Sequence, residues 1–300
     1  MTLKASTRQK QDVAQLRLTA AELRKGLVEL TIASGSIGGH VGGSLSIMDV
    51  LAALYFRQLN IDPSNPCWEE RDRFILSKGH AAMGLYVALA KAGYFPMEEL
   101  LQTYNQLNSR FGKHCDMHKT PGVEANTGSL GHGLSLGIGL AIAARYRWLK
   151  YRVYVMMGDG EQMEGAIWEA AMAGPHFKLG NLIAIVDRNK FCIDGPTENI
   201  MPIEPLAAKW RDFGWNVIEI DGHDMSQIVE TLDNLPPVDS QTPTAIISQT
   251  IKGRGVSLWE GNCWYHYGDL VDEKEKELAL RDVEEGIARA KAALSAGSSC

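Results

Sequence analysis

This sequence has no apolar run near the roughly 20 residues that a membrane span requires. Its polar start, MTLKASTRQKQDVAQLR, lacks the apolar core of a signal peptide. No membrane association is expected, and the reading is cytoplasmic. Basic charge is also short. Thirty Lys and Arg against 36 Asp and Glu leave a formal net charge of -6, which argues against nucleic acid as a partner. Cysteine is sparse and unpatterned: Cys67, Cys115, Cys192, Cys263 and Cys300 are odd in number and include no CxxC. That excludes a disulfide frame and a cysteine-based zinc site. HExxH is missing too, so the histidines are not a zinc-protease pair. Internal repeats and low-complexity linkers are absent, and PPVDSQTP (236–243) reads as a loop. What remains has the make-up of a globular enzyme domain, 45% hydrophobic and 22% charged. One domain over residues 1–300 is expected.

Periodicity divides the chain. Leu16, Ala20, Leu23, Leu27 and Leu30 recur at helical spacing within 13–34, predicting an N-terminal helical arm over about 1–34. After a glycine-rich break (35–43), residues 47–59 repeat the helical pattern. Five short β-branched runs then predict strands at 73–77, 151–157, 182–186, 216–220 and 244–248. Helical stretches at 81–92, 138–147, 161–174, 204–213 and 224–234 alternate with them. Such alternation predicts an α/β fold of three layers, a doubly wound, mostly parallel sheet with helices on both faces. A last helix is expected over 272–294, with Asp272 as its cap and Leu280, Val283, Ile287 and Leu294 turned inward. The final AGSSC is expected to fray.

The chemistry concentrates where strands end. One strand runs into Gly158-Asp159-Gly160, and about thirty residues later another runs into Asn189. In a parallel sheet both fall at carboxyl ends, where open α/β folds bind ligands. The glycines let amides approach a phosphate, and the helix that follows favours an anion. Asp159 and Asn189 offer two oxygens to a hard divalent cation. A GDG turn by itself is common; its pairing with Asn189 is what gives it weight. Histidines flank glycine in GHVGG (His40), KGHA (His80) and YHYG (His266), and two more occur in KHCDMH (His114, His118). Histidine suits proton traffic near neutral pH, although any one of these alone reads as a satisfied loop histidine. His176 and His223 are read that way. TGSLGHGLSLG (127–137) lacks the GK[ST] ending of a nucleotide loop and precedes a small-residue helix, so phosphate loop and close-packed core remain equal readings.

Taken in order, six segments resemble the N-terminal portion of the transketolases. They are SGSIGGHVGGSLSIMDVLAALY (34–55), DRFILSKGHAAMGLY (72–86), TPGVEANTGSLGHGLSLGIGLA (120–141), MMGDGEQMEGAIWEA (156–170), NLIAIVDRNKFCIDG (181–195) and TIKGRGVSLWE (250–260). The spacing of SIGGH and SKGH separates the sequence from deoxyxylulose-phosphate synthases. The resemblance implies thiamine diphosphate as cofactor, with Mg²⁺ or Ca²⁺ held by Asp159, Asn189 and the carbonyl of Phe191. It implies that Gly158, Gly160, His80 and His266 contact the diphosphate. Gly128, Ser129 and Leu130 would line the aminopyrimidine, and Ile193 the thiazolium. His40, His114 and His266 would face the sugar as catalytic groups, and Glu164 and Glu169 fall at subunit-interface positions. Either His114 or His118 fits the substrate-facing position, with the spacing favouring His114. His132 stands where the family usually has glutamine.

The implied activity is reversible transfer of a two-carbon ketol unit from a ketose phosphate to an aldose. The cofactor supplies the carbanion chemistry. The glutamate that activates it lies, in transketolases, in a pyrimidine-binding domain that would follow this one. The expectation is therefore a split enzyme, in which a C-terminal partner subunit completes the site in a two-plus-two heterotetramer. Other readings are a truncated transketolase, a dehydrogenase or synthase component using the same cofactor, and a non-catalytic regulatory subunit.

Overall fold

A computed structural model describes residues 10–297; Cys300 and most of the expected frayed tail lie outside the described residues. Helices α1 (Val13–Ala33), α2 (Gly42–Leu45) and α3 (Met48–Ala53) precede strand β1 (Arg73–Leu76). Helices α4 (Ala82–Ala92), α5 (Met97–Thr103) and α6 (Gly133–Tyr146) separate it from β2 (Val153–Gly158). Then α7 (Gly165–His176) leads to β3 (Leu182–Arg188), and α8 (Thr197–Ile200) with α9 (Leu206–Asp212) leads to β4 (Asn216–Asp221). Helix α10 (Met225–Asp233) leads to β5 (Thr244–Gln249), and α11 (Glu273–Gly297) closes the described chain. All five predicted strands are present, each shifted by no more than two residues at either end.

The strands form one parallel sheet in the order β1-β2-β3-β5-β4. Side chains of a strand alternate between faces, and here the alternation divides the core. Phe74, Leu76, Tyr154, Met156, Ile183, Ile185 and Ile246 face one apolar cluster, shared with α1, α3, α4 and α10. Ile75, Val153, Val155, Met157, Leu182, Ala184 and Ile247 face the other, shared with α6, α7 and α9. The path from β2 through β3 to β4 runs across the sheet in one direction, with its helices α7 and α9 on one face. From β4 the chain turns back to β5, and α10 lies on the opposite face. That is the arrangement right-handed crossovers require. It makes a three-layer, doubly wound α/β fold, as the alternation predicted.

Helix α1 starts at a capping box in which Asp12 and Gln15 exchange side-chain and backbone bonds. Leu16, Leu23, Leu27 and Leu30 are fully buried, so this helix is part of the core. Helix α11 lies against α1, and Asp272 accepts bonds from the amides of Lys274 and Glu275 at its start. Of its expected inward residues Val283 is buried and Leu280 packs at the margin of the core, where Ala279 is also buried. Helix α6 begins five residues before the predicted 138. The cause is tertiary: a Cβ on Gly133 would come 2.2 Å from Ser77 Oγ, and one on Gly137 2.5 Å from Val155 Cγ2. These glycines are packing residues that let α6 lie on β1 and β2. No described helix is long and apolar enough to cross a membrane.

Candidate functional site

Three strand ends converge at the carboxyl edge of the sheet. β1 ends in Ser77-Lys78, β2 in Gly158-Asp159, β3 in Arg188-Asn189, and the loop after β5 adds Thr250 and Lys252. A cavity of ≈ 230 Å³ opens among them, and Lys78, His80, Asp159, Asn189, Lys252 and His266 are among its lining residues. Gly128, Leu130, Gly158, Gly160, Phe191 and Ile193 line it as well. The structure thus brings together most of the residues expected at the cofactor. Ser129 is exposed beside Gly128 and Leu130 and is not among the lining residues.

Asp159 is 1% exposed, with Oδ1 accepting from the Gly160 amide at 2.8 Å. Its Oδ2 accepts from Arg188 Nη1 at 3.0 Å and from the Lys190 amide at 2.5 Å. Burial, and next the neighbouring Asp187 charge, push its carboxyl up to about 6 despite Arg188. Asn189 donates from Nδ2 to Asp187 Oδ2 at 2.7 Å and accepts the Phe191 amide at 3.1 Å. Lys190 between them has φ of 72°. This left-handed turn swings the chain sharply from Asn189 to Phe191, at a cost of about 1 kcal/mol or more.

Sequence reading missed the residue at the centre of this edge. Asp187 is completely buried and accepts from Lys78 Nζ at 2.5 Å, Ser46 Oγ at 2.7 Å, Thr250 Oγ1 at 2.5 Å and Asn189 Nδ2. Against the upward push of burial, the Lys78 charge and these bonds hold its carboxyl below the ordinary value. The signal was an acid inside the apolar run LIAIVDR. Glu161 was missed as well. It is 2% exposed and accepts from Ser77 Oγ, from the Gly131 amide at 2.9 Å and from the Gly158 amide at 3.0 Å. It ties the glycine-rich loop to β1 and β2. Lys252, in the segment TIKGRG, donates to the Cys192 carbonyl at 3.0 Å and stands 3.2 Å from His266 Nδ1. Burial, then Lys78, lower its ammonium to about 8.

The histidines assemble above this floor. Ring centroids of His40 lie 5.5 Å from His80, 5.9 Å from His114 and 5.3 Å from His266, and His80 is 5.1 Å from His266. Burial first, and the surrounding cations and rings next, lower His40 to about 4 and His266 to about 3. Burial and then Lys78 keep His80 well below its ordinary value, and burial with Lys113 lowers His114. Neutral imidazoles each present one donor and one acceptor. His40 Nδ1 is buried without a partner among the described residues. His114 also packs against Gly128, where a Cβ would come 2.7 Å from its ring. Both His114 and His118 are exposed, but His118 makes no ring contact with the cluster among the described residues, so ring geometry separates the two candidates. His132 is exposed at the start of α6, with Nδ1 3.1 Å from the Leu130 carbonyl. His176 packs on Phe177, and His223 is satisfied by Asp49 at 2.8 Å and the Ile251 amide at 2.9 Å. Glu164 and Glu169 are exposed, one just before α7 and one within it.

The residues fit an anionic diphosphate with a cation. The cavity has buried cationic donors in Lys78 and Lys252, and imidazoles in His80 and His266. Gly43 leaves room there: a Cβ would reach within 3.3 Å of Lys78 Nζ and 3.4 Å of His80 Nε2. Among the described residues no group of three His, Cys, Asp or Glu could hold a metal. The expected set has one carboxylate, one amide and one carbonyl, an incomplete cage that phosphate oxygens must finish.

Comparison with known proteins places this arrangement. The family model for the transketolase thiamine diphosphate binding domain matches residues 24–284. The chain is 49% identical over 253 residues to a 6-deoxy-6-sulfo-D-fructose transketolase subunit of Clostridium sp., covering 84% of this chain and 91% of that one. It is 43% identical over 275 residues to an apulose-4-phosphate transketolase subunit of Phocaeicola vulgatus, covering 92% and 96%. A solved transketolase of Pichia stipitis in complex with sedoheptulose 7-phosphate superposes with a TM-score of 0.80 at 29% identity. That match covers 94% of this chain and 45% of the Pichia chain, so this chain spans about half of a full-length transketolase. On this match of sequence and fold, the chain belongs to the transketolase family and is its thiamine diphosphate binding domain.

Proposed function

We propose that this chain is the diphosphate-binding subunit of a split transketolase, transferring a two-carbon ketol unit from a ketose phosphate, or a similarly anionic ketose, to an aldose. The observation that carries the reading is the placement of four histidine rings directly beside the cavity that holds Asp159, Asn189 and Lys252. A diphosphate anchored on the floor would put its organic end among those rings.

Asp159, Asn189 and the Phe191 carbonyl would hold Mg²⁺ or Ca²⁺, and Lys252, His80, His266 and the amides around Gly158 and Gly160 would hold the diphosphate. Gly128, Ser129 and Leu130 would line the aminopyrimidine, and Ile193 the thiazolium. Thiamine diphosphate, when bound there, would supply the carbanion chemistry needed at the sugar carbonyl. His40, His114 and His266 hold the sugar hydroxyls and pass protons, which their low basicity suits: a neutral ring both donates and accepts. The activating glutamate would come from a partner subunit carrying the pyrimidine-binding domain, in a two-plus-two assembly with Glu164 and Glu169 at an interface. The Clostridium and Phocaeicola relatives are each named as one subunit of a transketolase, which supports a partner.

The test mixes purified chain with its candidate partner, adds thiamine diphosphate and Mg²⁺, and measures transfer from ketose phosphates to aldoses. Activity is expected from the mixture and not from either component. Full transfer by this chain alone would overturn the split site. Release of CO₂ from a 2-oxo acid in place of ketol transfer would move it to the dehydrogenase or synthase readings. A mixture that retains the cofactor and transfers nothing would favour the regulatory one.

A further inference from the structure

We propose that Lys113, held by Tyr267 at the mouth of the histidine cluster, is a specificity-determining residue that recognises the anionic end of the sugar donor. Lys113 Nζ donates to Tyr267 Oη at 2.6 Å and lies 4.8 Å from the centre of that ring. Tyr267 is fixed in turn: its hydroxyl donates to the Ile37 carbonyl, and its ring stands edge-on to His40 at 5.1 Å. The next residue along the chain is His114, whose ring is 5.9 Å from His40. The ammonium is therefore anchored beside the two rings expected to face the sugar. Neither Lys113 nor Tyr267 lines the diphosphate cavity, so its charge is separate from the one Lys252 supplies below.

Among the described residues no carboxylate pairs with Lys113; the nearest acid along the chain, Asp116, faces Lys119 at 3.9 Å. An ammonium has three hydrogens, and one is used on Tyr267. The other two are directed at no acceptor among the described residues. A cation left unpaired at the entrance of a site draws an anionic ligand and bonds to it with charge-assisted hydrogen bonds. A sugar bound with its carbonyl end at His40 and its chain running outward brings a distal oxyanion, phosphate or sulfonate, toward this group. Lysine acts as a point charge with rotatable donors, so it tolerates either anion shape.

The inference rests on the ketol-transfer reading, and the experiment separates the two. In the two-subunit enzyme, kcat and KM are measured for a ketose phosphate, for the ketose sulfonate of the same chain length and for the uncharged ketose. Lys113→Met is compared with wild type and Lys113→Arg. Loss of a charge-assisted bond is expected to raise KM for an anionic donor about tenfold. Its kcat should stay nearly unchanged, the uncharged donor should be unaffected, and Lys113→Arg should restore most of the preference. A rise confined to one anion names the natural class, phosphate or sulfonate. If Lys113→Met alters anionic and uncharged donors equally, the lysine merely props Tyr267 and the inference fails. Unchanged KM for both anions also sinks it. No transfer by the wild-type complex from any donor overturns the ketol-transfer reading itself.

Discussion

His40 and His266 show how single residues acquire a function that their type only permits. Both are ordinary imidazoles in the unfolded chain, with a basicity near 6.5. In the fold, burial first and neighbouring cations and rings second bring them to about 4 and about 3. The folded state thus refuses protons that the unfolded chain accepts below about 6.5, and stability must fall as pH drops from there toward 4. In the cofactor-free chain, the thermal midpoint should decline over that window. A His40→Asn, His266→Asn double variant should flatten the decline; an unaltered slope in that variant would contradict the assignment. At the floor of the site, Asp159→Ala removes the one carboxylate of the expected cation set. Calorimetry with Mg²⁺ and thiamine diphosphate on the two-subunit complex should then show cofactor affinity lost by two orders of magnitude or so, while far-ultraviolet dichroism stays native. Affinity equal to wild type would remove Asp159 from the cation site. Replacing His40 or His114 by Ala should lower turnover roughly 10²–10⁴-fold, whereas exposed His176→Ala should leave it unchanged.

At the scale of elements, the contrast between two glycines of α6 tests why this helix is built from small residues. A Cβ at position 137 would stand 2.5 Å from Val155 Cγ2, and at 139 it would meet nothing within 4 Å. Gly137→Ala should therefore push α6 off β2 and cost about 1–3 kcal/mol. Gly139→Ala adds a better helix former in open space and should gain roughly 0.5–1 kcal/mol. Urea unfolding of the purified chain reads both; a Gly137 variant as stable as its parent would mean that α6 does not pack as described. Element boundaries carried most of the disagreement between sequence and structure. The start of α6 was placed five residues late because GSLGHG reads as a loop. Its last glycine, Gly133, serves close packing against Ser77, which no local pattern announces, while Gly128 and Gly131 have positive φ and do form a loop. The helix predicted over 47–59 does continue, but its last turn, Leu54–Gln58, widens to a π-helix.

On the whole-molecule scale, the described surface leaves large apolar side chains uncovered. Tyr146 and Trp148 are 82% and 91% exposed at and just after the end of α6, and Met172 on α7 is 56% exposed. Ile193, beside the cavity, is 63% exposed, and Trp264 in the loop before His266 is 87% exposed. Of these, Ile193 lines the cavity and Trp264 is close in the chain to His266, whereas Trp148 lies with Tyr151 and Asn181 away from it. Under the proposed split enzyme, large exposed side chains beside the cavity fit burial under the partner. Light scattering during size-exclusion chromatography of the mixed subunits should give a mass corresponding to two copies of each. Trp264→Ser is expected to weaken association with the partner by about tenfold, as the loss of a buried aromatic at an interface does. A Trp264 variant that assembles like its parent would place this side chain outside the contact.

The order of strands and helices, the parallel sheet and the GDG–Asn189 pair were determined by the sequence, because each depends on local pattern: period-two and period-3.6 apolar spacing, and turn residues at strand ends. So was the family, since its motifs are contiguous. The tertiary structure alone decided which of His114 and His118 joins the cluster. It also identified Asp187, Glu161 and Lys252 as the buried groups that set the charge of the site. The reason is physical. Lys78 and Asp187 are 109 positions apart in the chain, yet their 2.5 Å contact fixes how a buried carboxylate, an amide and a lysine share one small volume. Desolvation and charge pairing act through space, and a sequence states which groups exist without stating which of them will meet away from water.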